Sequence, residues 1–172
     1  MNQFVFNSNN FSSYIGIKDG LKHRYKTSAP VILCVGSDLV VGDSLGPYIG
    51  TELLYSLMGK AYVYGTLSSP ITAKECDLMS KELKKLHPNS KILVIDAAIG
   101  KEQDVGLIKL SDSGIKPGLG VDKDLLEIGD VSIIGIVASK KTFSLDNTDK
   151  VRFSLIYRMA KIICAGVLEY FK

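Results

Sequence analysis

A chain of 172 residues, 46% hydrophobic and 23% charged, is long enough to bury a core and too apolar to be a disordered segment. Its net charge of +3 is too small a bias to argue for nucleic acid, and no apolar run approaches the roughly 20 residues that span a bilayer. The expectation is one domain over 1–172, with neither a nucleic-acid nor a membrane partner.

The opening "MNQFVFNSNNFSS" has no basic region, no long apolar stretch and no small-residue cleavage site. No signal peptide is expected there, and the protein is expected in the cytoplasm. Residues 9–25 read as a helix with Tyr14, Ile17 and Leu21 on one face, although Gly16 and Gly20 weaken it. The basic stretch "KDGLKHRYK" reads as a solvated helix end, with a docking surface for an acidic partner as the alternative. "PVILCVG", 30–36, has no polar alternation, as expected of a strand covered on both faces. Helix 47–58 follows, with Pro47 suited to its first turn.

"AYVYG", 61–65, predicts a second strand, and the helix of "TAKECDLMSKELKKL" opens with Thr72 and Glu75 at capping-box spacing. His87 in "HPNS" ends that helix. "KILVIDAAIG", 91–100, is the clearest buried strand and carries Asp96 at its end, and "GLIKL", 106–110, is a short alternating strand. Residues 111–130 form a long glycine-rich loop, of a length that is usually functional or mobile. "VSIIGIVAS", 131–139, is a further buried strand, and 148–171 is an amphipathic helix. Cys34, Cys76 and Cys164 make no zinc spacing or redox motif and read as buried thiols.

Strands separated by helices predict an α/β fold, three layers α/β/α around a mostly parallel central sheet. In such sheets ligands bind beyond the carboxyl ends of the strands. Asp43, in the turn "CVGSDLVVGDSLG", and Asp96 both fall there. The turn is not a P-loop. Five residues separate Gly36 from Gly42, and "GDS" stands where Gly-Lys-Ser is required. "GLGVDKD", 118–124, echoes a dinucleotide motif without a strand-to-helix unit around it.

Each aspartate has a plain structural role open to it: Asp43 at a helix N-terminus, Asp96 on backbone amides. Together they allow two chemistries. Brought close, two carboxyls cannot both ionise cheaply, so one serves as base on a water and the other, protonated, polarises a carbonyl. Alternatively both stay ionised and hold a divalent metal that activates the water.

"VGSDLVVGDSLGP", 35–47, resembles the first motif of the hydrogenase-maturation endopeptidases. It resembles more closely that of the spore germination protease, which degrades small acid-soluble spore proteins, and of a shorter sporulation protein family related to it. "ILVIDAAIG", 92–100, is similar to the second aspartate block of this group, and 115–139 to its glycine-rich third block. The resemblance implies a phosphorylase/hydrolase-like fold and a functional pair at Asp43 and Asp96. It implies an aspartate-dependent endopeptidase with a protein or peptide substrate in the sporulating cell. Three departures stand out. Residues 111–139 contain no counterpart of the third-block histidine that binds metal in the hydrogenase enzymes, Ser37 and Asp38 stand where that family tends to have Asn and a small or apolar residue, and the chain is shorter than the germination protease.

On this reading Gly36 and Ser37 let substrate backbone approach, and Gly118 and Gly120 form a wall or flap of the site. A pure turn role for the glycines stays open. The alternative to an enzyme is a binding or assembly module in sporulation that keeps the peptidase fold. The sequence sets no oligomeric state.

Overall fold

The computed structural model describes residues 3–25, 29–116, 127–141 and 151–172. Three strands are apolar runs buried along most of their length: β2 (Val31–Cys34), β4 (Ile92–Gly100) and β6 (Val131–Ser139). Their alternate residues go to opposite layers, because successive side chains of a strand point to opposite faces. Ile32, Cys34, Leu93 and Ile95 join one core cluster, and Val31, Leu33, Ile92 and Val94 join the other.

The first cluster is closed by three helices, α1 (Ser13–Arg24), α2 (Leu45–Ser56) and α4 (Phe153–Tyr170). α4 buries Ile156, Met159, Ile162, Ile163 and Val167, each contributing about 1.5–3 kcal/mol of burial before chain entropy is subtracted. The second cluster is closed by α3 (Cys76–Leu86), through Cys76 and Leu83, and by Ile115 and Ile128. The architecture is thus α/β with helices on both faces of one sheet, and all three cysteines are free and buried.

The sheet is mixed. Its six strands run β1-β5-β6-β4-β2-β3, where β1 is Gln3–Asn7, β3 is Val63–Tyr64 and β5 is Leu107–Ser111. The β6–β4–β2–β3 half is parallel, whereas β1 and β5 add an antiparallel edge.

Several expected boundaries move. β1 stands where no strand was expected, and α1 starts at Ser13 after a turn in which Asn10 O accepts from Ser13 N–H at 3.0 Å. Gly16 and Gly20, poor for helix propensity, face Phe6 and Leu110 so closely that a Cβ would lie 2.3 and 2.4 Å from them. Close packing of α1 on the β1–β5 edge outweighs propensity there. α3 starts at Cys76, past the expected capping box. Glu75 still accepts from the Thr72 N–H at 3.0 Å and from the Thr72 hydroxyl, but this ties a turn ahead of the helix.

Candidate functional site

The chain order around β2 creates a crevice. From β2 it passes through α2 to β3 on one side, then returns through α3 to β4 on the other side of β2. Where strand order reverses in this way, the connections diverge and leave an opening beyond the carboxyl ends. β2 is short. Its last partner on β4 is Ile95, opposite Cys34, after which the Val35 N–H still reaches Ile95 O at 2.8 Å. Asp96 is the next residue of β4. It is therefore not at the end of its own strand, as the sequence led us to expect, because β4 continues beside β6 to Gly100. It lies instead at the point where β2 has just ended.

The turn after β2 closes on itself. Gly36 is buried with φ +137°, a region that favours glycine, and a Cβ there would lie 2.1 Å from the Asp43 carbonyl oxygen. Its N–H donates to Ile71 O at 2.9 Å. The Ser37 N–H donates to Asp43 O at 3.1 Å, and the Ser37 hydroxyl accepts from the Leu39 N–H at 3.2 Å. A single 3-10 turn, Val41–Asp43, then leads into α2, with the Ser44 hydroxyl on Val41 O at 2.8 Å. Gly36 and Ser37 thus use both amides inside the protein and set the neck of the turn. Gly118 and Gly120, the other residues expected to line a substrate, lie outside the described residues.

The two aspartates differ in surroundings. Asp96 is only 8% exposed, and its Oδ1 accepts from the Ala97 N–H at 2.7 Å. Burial pushes its pKa well above the ordinary value; the Ala97 bond opposes the shift, and the negative charge of Asp43 adds to it. Asp43 is half-buried. Burial raises its pKa too, and the Ser37 N–H draws it back down. No hydrogen bond joins the two carboxyls, but Asp43 acts on Asp96 through space, so they share one electrostatic environment.

Cys76 belongs to the same neighbourhood. Burial, then Asp96, Glu75 and Asp43, push its thiol up to about 12. It stays a thiol at neutral pH, and the thiol form is not the nucleophile. Sequence reading placed Cys76 in the buried stripe of its helix and missed its nearness to the acids. No local pattern signals it, since the three residues come from separate segments.

Among the described residues no group of three or more His, Cys, Asp or Glu could hold a metal ion. His87 caps the far end of α3, where its Nε2 pairs with the Tyr64 hydroxyl at 2.9 Å, and His23 is exposed on α1. A divalent ion there would have Asp43 and Asp96 as its side-chain ligands, fewer than a site built from the protein alone usually supplies.

Comparison with known proteins matches residues 5–166 to the family model described as "Protein of unknown function (DUF1256)". A relative in Bacillus subtilis (strain 168), "Uncharacterized protein YyaC", is 39% identical over 140 residues, which are 80% of this chain and 67% of the relative.

Proposed function

We propose, for a chain that belongs to the DUF1256 family, an endopeptidase of the germination-protease type that works with two aspartates and no metal. The observation that carries this reading is the unequal burial of two neighbouring acids, Asp43 half-buried and Asp96 only 8% exposed, with the charge of Asp43 acting on Asp96. Pairs of acids pushed apart in this way divide into a base and an acid. Asp43, the more exposed of the two, is the ionised base. Asp96, buried and facing the charge of Asp43, keeps the proton.

The chemistry balances with one water. Asp43 takes a proton from the water as its oxygen bonds to the scissile carbonyl carbon. Asp96 gives its proton to the carbonyl oxygen, which neutralises the developing charge. The tetrahedral intermediate then collapses: Asp43 returns its proton to the leaving nitrogen, the C–N bond breaks, and Asp96 recovers a proton from a hydroxyl of the intermediate. Both carboxyls end as they began.

The resemblance of 35–47 and 92–100 to the germination protease blocks supports small acid-soluble spore proteins as the first substrates to try, and a sporulating cell as the place to look. The test is incubation of these proteins with wild type, Asp43→Asn and Asp96→Asn over a range of pH. Wild type is expected to cleave, and each variant to lose about a hundredfold or more in kcat/KM. Equal cleavage by all three removes the mechanism. No cleavage by wild type, together with a stable complex that Asp43→Asn leaves unchanged, would replace it with a non-catalytic binding module.

A further inference from the structure

We propose that the outer edge of β1 pairs with β1 of a second copy of this chain, antiparallel about a two-fold axis through Val5. The pairing is independent of the peptidase reading. β5 and β6 stand between β1 and the crevice at β4 and β2, so both crevices stay open in the dimer.

The two ends of the sheet are finished differently. An edge strand presents a row of N–H and C=O groups, and proteins blunt it by keeping it short or by placing charge or proline on it. At one end β3 is only Val63–Tyr64. At the other, β1 runs over Gln3–Asn7 with neither charge nor proline. Phe4 and Val5, on opposite faces of the strand, are 46% and 50% exposed, so neither face is closed there.

The direction of the edge groups follows from one bond. The Ser8 N–H donates to Gly106 O at 3.0 Å, on the β5 side, so the Asn7 C=O across that peptide turns outward. It is used locally, by the Asn10 N–H at 3.1 Å and the Ser13 hydroxyl at 2.9 Å. Alternation along an antiparallel pair then turns Phe4 and Phe6 main-chain groups to β5 and sends those of Gln3 and Val5, with the Asn7 N–H, outward.

By residue class, "QFVFN" reads the same in both directions. Paired with itself about Val5, it sets Val5 opposite Val5 with two hydrogen bonds, and each Asn7 N–H opposite a Gln3 C=O for two more. Phe4 falls opposite Phe6 of the second copy in the positions where side chains come closest. Both rings lie in the layer of α1, where Phe6 packs on Gly16 and Arg24 stands 5.0 Å from the Phe4 ring centre. Phe11 and Ile15, exposed at the start of that layer, add apolar surface. Such a contact is self-complementary, as a two-fold dimer requires. It is smaller than the roughly 800 Å² per partner of a standard interface, so the dimer is reversible, with a micromolar dissociation constant.

The test is sedimentation velocity of the full chain from about 1 to 200 µM, over which wild type should pass from monomer to dimer. Val5→Lys and Val5→Glu each place like charges face to face at the axis and should weaken self-association about tenfold or more. An equimolar mixture of the two should recover it, because residue 5 then meets the opposite charge. Val5→Pro removes the central N–H, which faces away from β5, and should abolish the dimer with an unchanged circular dichroism spectrum. A wild type that stays monomeric overturns the proposal. So does a dimer that survives in both charged variants, or a mixture that associates no better than either variant alone, since the contact then lies elsewhere. A monomeric wild type that binds a labelled extended peptide gives the edge to a foreign strand, and also overturns pairing with a second copy.

Discussion

The turn after β2 and the middle of β4 each present one aspartate to the same crevice, and they hold it by different means. The turn is fixed by backbone: a left-handed glycine, an amide on the Asp43 carbonyl and a single 3-10 turn. The strand is fixed by packing: Ile92, Leu93, Val94 and Ile95 are all buried, and the sheet carries Asp96 with them. The first arrangement leaves its carboxyl half in water; the second takes its carboxyl almost wholly out of water. Burial raises the proton affinity of both residues but takes Asp96 much further out of water than Asp43, and that asymmetry is what base and acid roles require.

The sharpest way to break the comparison is to break the turn. Gly36→Ala places a methyl group 2.1 Å from the Asp43 carbonyl oxygen, at a φ of +137°. Both the backbone strain and the overlap must be relieved by moving the segment that carries Asp43. The expected loss is about 3 kcal/mol or more of unfolding free energy, read from urea denaturation, because strain and overpacking add. A loss below about 1 kcal/mol would mean that the turn is not held by its backbone.

The strand side is tested by Asp96→Asn. Burial raises the Asp96 pKa in the folded chain above the ordinary 3.8, so folding favours the protonated acid. The stability this provides is complete below the unfolded value and is lost as pH rises through the raised folded value. Asparagine has no proton to lose and keeps an oxygen for the Ala97 N–H. The variant should match wild type near pH 3 and exceed it by about 1–3 kcal/mol near pH 8. Denaturation curves that coincide at both pH values would show that Asp96 carries no burial penalty.

The same contrast explains what could be read from the sequence. β2, β4 and β6 were legible because strands covered on both faces are written as unbroken apolar runs. β1 was not. Its Phe4 and Val5 are about half exposed at the sheet edge, and its pairing is with β5, a hundred residues later in the chain. Strand β3 shrinks to Val63–Tyr64, since only two residues pair with β2. Asp96 was legible as a strand residue near the crevice, but its mid-strand position was not, because it depends on where β2 stops. The boundary of α3 slipped for a related reason: Thr72 and Glu75 do bond to each other, yet a bonded pair in a turn has the same spacing as a helix cap.

The smallest expected change in stability comes from Asp43→Asn, and it probes the link between the two regions. Asp43 is half-buried, so its loss should alter unfolding free energy less than either substitution above, by about 1 kcal/mol or less. Its effect on Asp96 should be plain. The charge of Asp43 helps to raise the Asp96 pKa, so removing that charge should make the buried acid easier to ionise. In a carbon-13 NMR titration of the Asp96 carboxyl, the midpoint should fall towards the ordinary value in Asp43→Asn, though burial keeps it above that value. The high-pH penalty on wild-type stability should shrink in step, since it grows with the gap between folded and unfolded proton affinities. A midpoint that stays where it was would mean that the two carboxyls do not sense each other. The turn and the strand would then be neighbours without being a pair, and the division into base and acid would lose its footing.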